Sequence, residues 1–233
     1  VTAWRLRVHQ SLPSTSDTCI REAQSGEPEG LAVLALEQSA GRGSRGRSWL
    51  SPAGGLYLSV LLRPTEPAGL AGLWSLLAAV ALREALADPE ITLKWPNDLM
   101  LGAGKLAGIL LDSSGAGPRL EWLVIGFGAN LAVAPEITGR TTASLGPTGP
   151  EAVARALFAR LDHWRGVGLS AARDAWLSAT CPIGTPIRLS RPNIAGAFVG
   201  LSDDGALQLR AADGIISIAS GEIATQRAPN GAA

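Results

Sequence analysis

The sequence predicts an α+β protein in two parts, a mixed α/β region over residues 1–180 and a small β-barrel over 181–233. Three observations predict it. Apolar runs of strand length alternate with helical segments through the first part. The composition changes at Cys181-Pro182. Beyond that point short β runs alternate with Gly or Asp turns, including the tight-turn signals SDDG and AADG.

The elements follow in order. Trp4–His9 is expected as a short strand, and Ser14, Thr15 and Ser16 as the cap of a helix running to about Gln24. Leu31–Glu37 is an apolar run of strand length after the turn signal GEPEG. Residues 41–55 are dense in Gly, Arg and Ser and predict a loop, followed by a buried strand at Leu56–Leu62. Ala68–Ala87 is apolar nearly all round, so a helix there is packed on both sides and ended by Asp88-Pro89. Ile91–Trp95, Lys105–Asp112 and Glu121–Gly126 predict three strands; Glu151–Trp164 and Leu169–Ser178 predict helices. Pro186–Leu189, Ala195–Leu201, Ala206–Arg210 and Ile215–Ala219 supply the barrel, closed or half open, and APNGAA a frayed tail.

The chain has 233 residues, 46% apolar and 17% charged, enough for a sizeable core. Twenty basic residues balance twenty acidic ones, so no global basic field exists to hold nucleic acid and any anion site must be local. Cys19 and Cys181 have no metal-type spacing and fit reduced thiols; His9 and His163 lie far apart and give little support for a metal site. The N-terminus has no apolar signal-peptide core, and Ala68–Leu82 is shorter than a bilayer span, so a cytoplasmic protein is expected. Val1 in place of Met suggests processing.

The stretch GRGSRG, residues 41–46, fits the dinucleotide fingerprint G-x-G-x-x-G. That fingerprint needs a helix directly after it, and here RSWLSPAGG follows, where Ser51-Pro52 and Gly54-Gly55 break any helix. Arg42, Arg45 and Arg47 instead suggest forked donors for carboxylate or phosphate on a backbone that glycine lets wrap closely. Alone, the same loop also fits a solvated basic surface. Gly104-Lys105 resembles the end of a P-loop, but Leu99 and Leu106 stand where Gly and Ser or Thr belong. Lys94 and Lys105 lie beside very apolar strands, a setting Lys seldom takes without a partner or an anion. Asp98, after Pro96-Asn97, is expected in a turn joining two strands, which would gather Lys94, Asp98 and Lys105 at one end of a sheet as part of an anion site.

QSAGRGSRGRSWLSPAGGLYLSVLLRP, KWPNDLML, KLAGIL and VIGFGANL, with PSTSDT near residue 13 and ASGEIA near residue 219, resemble the successive motifs of biotin protein ligases, also called biotin–[acetyl-CoA-carboxylase] ligases. The resemblance implies a catalytic domain of the biotin/lipoate protein ligase type with a C-terminal SH3-like barrel. It implies synthesis of biotinyl-5′-AMP from biotin and ATP, with Mg²⁺ accompanying ATP, and transfer of biotin to a lysine of a biotin carboxyl carrier protein. The chain starts directly at the catalytic domain, so the repressor activity of members with a helix-turn-helix domain is not expected.

The resemblance places Ser14, Thr15 and Gln38 at the ureido end of biotin, with Ser16 and Ser44 also in the biotin set. Gly41, Arg42 and Gly43 wrap the ligand through their backbone, and Gly108, Gly128 and Ala129 form close walls. Arg47 holds the phosphate or pyrophosphate, Trp49 packs beside the nucleotide, Asn130 lies near the adenylate, and Arg45, Lys94 and Asn97 complete the nucleotide set. Lys105 bridges the biotin carboxylate and the α-phosphate, and Asp98 helps place the metal or the incoming amine; no fixed protein metal site is implied. Two positions depart from the usual pattern. Ser16 stands where Asn is usual, and Ser44 where many members have Arg. Lipoate–protein ligases and a non-catalytic biotin-binding module are the alternatives.

Overall fold

The structure, a computed structural model, describes residues 1–115 and 117–223. The APNGAA tail and the other positions of the expected barrel after residue 223 lie outside the described residues. The first part consists of β1 (Arg5–Leu12), α1 (Thr15–Gln24), β2 (Leu31–Gln38), β3 (Leu56–Leu62), α2 (Ala71–Leu86), β4 (Ile91–Lys94), β5 (Asp98–Leu101), β6 (Gly104–Ser114), β7 (Trp122–Ala129), α3 (Pro150–Val167) and α4 (Leu169–Ser178). Then come β8 (Pro186–Arg191), β9 (Ile194–Leu201), β10 (Leu207–Ala211), β11 (Gly214–Ile218) and β12 (Glu222–Ile223).

Seven strands form one sheet in the order β1-β2-β3-β7-β6-β5-β4. Only β1 and β2 pair in parallel; the other neighbours are antiparallel. The central strands are apolar on both faces because both are covered, and successive side chains point to opposite sides. Leu31 and Val33 pack under α1 with Cys19 and Ala23, whereas Ala32 and Leu34 join the large core under α2, α3 and α4. Burial pushes the Cys19 thiol up to about 12.

The helix expected over Ala68–Ala87 forms, and its apolar run is longer than the Ala68–Leu82 stretch set against a bilayer span. With the 3₁₀ turn Ala68–Leu70 it reaches Leu86, 19 residues, and by length and composition it could cross a membrane. Here every residue from Leu73 to Leu82 is buried, with α3, α4 and the sheet around it. The helix stops at Ala87, which takes the left-handed conformation at φ 56°.

Asp98 is not in a turn; it is the first residue of strand β5. That strand escaped the sequence pattern because DLML is four residues long and opens with Asp, which has low strand propensity. Two successive hairpins result, with Lys94 opposite Asp98 and Lys105 opposite Met100.

The second sheet is antiparallel throughout, in the order β11-β10-β9-β8-β12, one strand more than expected. No ladder joins its edge strands β11 and β12 among the described residues. Its apolar face is not a separate core. Ile187, Leu189, Phe198, Leu207 and Leu209 belong to the same cluster as Trp95 and Trp176 of the first part. The Trp95 indole N–H donates to the Gly205 carbonyl (3.2 Å), in the β9–β10 turn.

Candidate active site

Ser14 caps α1 through its hydroxyl, which accepts from the Asp17 N–H (3.2 Å). This turn delivers Thr15 and Ser16, both buried, to the sheet. Thr15 meets the Ser59 hydroxyl at 2.8 Å and Ser16 meets it at 3.1 Å. Gln38, the last residue of β2, accepts from the Thr15 N–H (2.8 Å) and hydroxyl (3.1 Å) and donates to the Ser51 hydroxyl (2.9 Å). Thr15, Ser16 and Gln38 form the polar end of a narrow cleft whose walls include Leu58, Gly108, Gly126, Phe127 and Gly128, with Ser59 and Ser51 bonded behind them.

The glycine-arginine loop closes over the cleft without any helix of its own beyond the 3₁₀ turn Ser44–Gly46. Gly41 lies so close to the returning chain that a Cβ there would sit 2.4 Å from the Trp49 carbonyl oxygen. The Trp49 N–H donates to the Gly41 carbonyl (2.8 Å) and the Gly43 N–H to that of Arg47 (2.7 Å), which folds the loop on itself. Arg45 takes φ 60°, uncommon outside glycine, and such backbone strain concentrates at functional sites. Arg42 ties the loop down by ion pairs of 2.9 Å to Asp17 and 2.9 Å to Asp112. These carboxylates outweigh the opposing effect of burial and raise its pKa.

Trp49 lies against Gly108 and Gly128, which face each other across β6 and β7. A Cβ on Gly128 would stand 2.6 Å from the indole ring, and one on Gly108 3.3 Å. The Trp49 Nε1 is buried without a partner. Over the ring, 5.4 Å from its centroid, sits the Lys105 ammonium, which also donates to Asp98 Oδ1 at 2.5 Å. Lys105 lines the cleft and also a second cavity of about 540 Å³ that holds Arg45, Arg47, Lys94, Asp98, Arg140 and Glu222.

In that cavity Arg45 (3.0 Å) and Arg47 (2.5 Å) clamp the two oxygens of Glu222. Ser44 braces Arg47, accepting at its hydroxyl (2.9 Å) and its carbonyl (3.2 Å). Burial alone would push the Glu222 carboxyl up, but Arg47, Arg45 and Arg140 together hold it below the usual range. Burial pulls the Lys94 ammonium down, only partly offset by Asp98. A larger cavity of about 970 Å³ lies between β4, α4 and the second sheet, away from the loop.

Most of the expected residues converge, with four exceptions: the Ser14 hydroxyl is used as the cap of α1 and Ser14 does not line the cleft, and Asn97, Asn130 and Ala129 are turned elsewhere. Asn97 donates its amide to the Ile109 carbonyl (2.6 Å), and Asn130 donates to Lys105 (3.3 Å) and Ala143 (3.0 Å) carbonyls, so both brace the site's backbone. Ala129 belongs to the large core, because it alternates with Gly128 along β7. Sequence reasoning missed Ser51, Ser59, Asp112, Arg140 and Glu222. Ser59 carried a signal, as the lone polar residue inside LYLSVLL. Among the described residues no three His, Cys, Asp or Glu side chains cluster as a metal site.

Comparison with known proteins gives matching results along most of the chain. The Biotin/lipoate A/B protein ligase family matches residues 8–130, and the Biotin protein ligase C terminal domain matches residues 183–224. A biotin–[acetyl-CoA-carboxylase] ligase of Paracoccus denitrificans is 39% identical over 82% of this chain and 88% of its own length. One of Mycobacterium tuberculosis is 30% identical over 93% and 86%. The structure of the biotin protein ligase of Aquifex aeolicus in complex with biotin and ATP is 28% identical and superposes with a TM-score of 0.78, covering 96% of this chain and 99% of that one.

Proposed function

The chain belongs to the biotin/lipoate A/B protein ligase family, and from that premise we propose that it is an ATP-dependent biotin protein ligase acting on a biotin carboxyl carrier protein in the cytoplasm. One observation carries this reading. Lys105 lines both the hydroxyl-ended cleft and the cationic cavity, so one ammonium faces both places where an anion would lie.

Biotin fits the cleft by chemistry. The Thr15 and Ser16 hydroxyls, backed by Ser59, can rotate to donate to or accept from a ureido ring, and Gln38 adds a fixed amide. Leu58, Phe127 and the glycine floor suit an apolar chain leading toward Lys105. ATP belongs in the cationic cavity, with Mg²⁺ entering as part of that substrate and Asp98 as the carboxylate beside it or beside the incoming amine. Trp49 covers the junction, and Arg47 faces the phosphates.

A biotin carboxylate oxygen attacks the α-phosphorus. The new P–O bond forms as the bond to the β-phosphate oxygen breaks, and pyrophosphate leaves with that electron pair. Lys105 neutralises carboxylate and phosphoryl charge together, which lets two anions approach and stabilises the charge gathered in the transition state. A neutral lysine amine of the carrier then attacks the acyl carbon, the C–O bond to AMP breaks, and the amine's proton is lost. Residues 1–180 serve as the catalytic domain and 181–233 as the C-terminal domain in this reading.

ATP–pyrophosphate exchange tests it. Exchange that requires biotin is expected; exchange that requires lipoate would assign the chain to the other branch of the family, and none would leave a binding module.

A further inference from the structure

The cavity of about 970 Å³ between β4, α4 and the second sheet shares only Lys94 with the residues assigned to biotin and ATP. It has the size of a small-molecule site, and such sites favour the seam between packed units. Leu93 and Trp95 of β4, Trp176 of α4 and Ile187, Phe198 and Leu207 of the second sheet give it apolar walls.

Two features set it apart from a packing gap. Among the described residues two buried side-chain polar atoms lack a hydrogen-bond partner, the indole nitrogens of Trp49 and Trp176. Trp49 borders the cleft, and Trp176, 1% exposed, lines this cavity. A buried donor costs free energy until an acceptor answers it. The second feature is charge. Lys94, Arg188 and Arg210 line the cavity, and among the described residues no Asp or Glu does. None of these three cations takes part in an ion pair among the described residues. Arg188 and Arg210 are exposed and flank β9 opposite Ala195 and Ala197, so only methyl groups lie between them. Apolar walls with cations at the rim and no carboxylate complement an amphipathic anion and disfavour a cation.

We propose that this cavity is a second ligand site, and that it binds an aliphatic monocarboxylate. The chain lies against Leu93, Trp95 and Phe198, and the carboxylate lies at the rim, where two guanidinium groups offer forked donors. The inference stands apart from the ligase reading, because the walls of the cavity lie outside the cleft.

The test uses the full chain with decanoate as the probe and decanol as the uncharged control. Cys181 lines the cavity, and the other cysteine, Cys19, is buried with its thiol pushed up to about 12. Alkylation of the folded chain by iodoacetamide therefore reports on Cys181. Decanoate is expected to slow that alkylation severalfold and saturably, and to do so equally with biotin and ATP present. Decanol should protect about tenfold less tightly, the range for losing a charge-assisted contact. The double variant Arg188→Glu, Arg210→Glu should weaken decanoate about tenfold and leave decanol within about twofold, as expected for two exposed charges reversed. Absence of protection below the micelle concentration would overturn the site. So would decanol protecting as well as decanoate, protection lost when biotin and ATP are added, or wild-type decanoate affinity in the charge-reversed chain.

Discussion

On one side of Lys105 the cleft is made of short side chains and bare backbone: Thr15 and Ser16 hydroxyls above, Gly108 and Gly128 below. On the other side the cavity is made of long charged side chains drawn from the loop, from β4 and β12 and from the segment before α3. The cleft hydroxyls are buried and their partners fixed, so shape and hydrogen-bond direction decide what enters. Arg45, Arg47 and Glu222 are about a third exposed, so charge decides there and salt screens it. One site therefore combines a rigid recognition half with an adjustable electrostatic half, and a change in either should leave its own kinetic mark.

The largest expected effect lies at the junction. Lys105→Ala removes the cation common to both halves and should lower biotin-dependent exchange about 10²–10³-fold, typical of a lost transition-state contact. The thermal midpoint should move little, because Lys105 is partly exposed and its partner Asp98 can turn to water. Wild-type exchange in the folded variant would dissolve the distinction between the halves.

Gly128→Ala probes the cleft alone. Its Cβ would fall 2.6 Å from the Trp49 ring, so the ring and loop must shift, and overpacking of this kind costs about 1–3 kcal/mol. The KM for biotin should rise about tenfold, and more than in Gly108→Ala, where the nearest atoms are 3.2 Å away. A larger effect on ATP than on biotin would show that the floor serves the nucleotide instead.

The smallest effect belongs to the cavity's resident carboxylate. Glu222 has a folded pKa below its ordinary 4.5, so its contribution is complete above that value and lost as pH falls through the depressed folded value. Its ion pairs are partly exposed and worth up to about 1 kcal/mol. Glu222→Gln should be slightly less stable than wild type at neutral pH, and the two should converge in acid. A gap that widens on acidification would mean that Glu222 is not held by the arginines.

Much of this contrast was legible before the structure. The loop, the strands around it and the lysines of KWPND and GKLAG could be read locally, because glycine content, apolar runs and a charge beside an apolar strand are local signals. Strand β5 could not, being too short to show a period. Glu222 could not either. Its partner Arg47 lies 175 residues away, and a lone Glu on a two-residue strand looks like any surface residue.

By itself the sequence determined most of the segments that become strands and helices, that GRGSRG opens no helix, and that Lys105 needs a partner or an anion. Tertiary structure alone decided the company those residues keep. The order β3-β7-β6 puts Gly128 opposite Gly108 and makes the floor under Trp49. Packing of the second sheet on the large core brings Glu222 to the arginines, and the strand-bound segment before α3 brings Arg140. The reason is that these meetings depend on long-range burial and backbone pairing, which satisfy whole surfaces at once and leave no mark in the spacing of any one stretch.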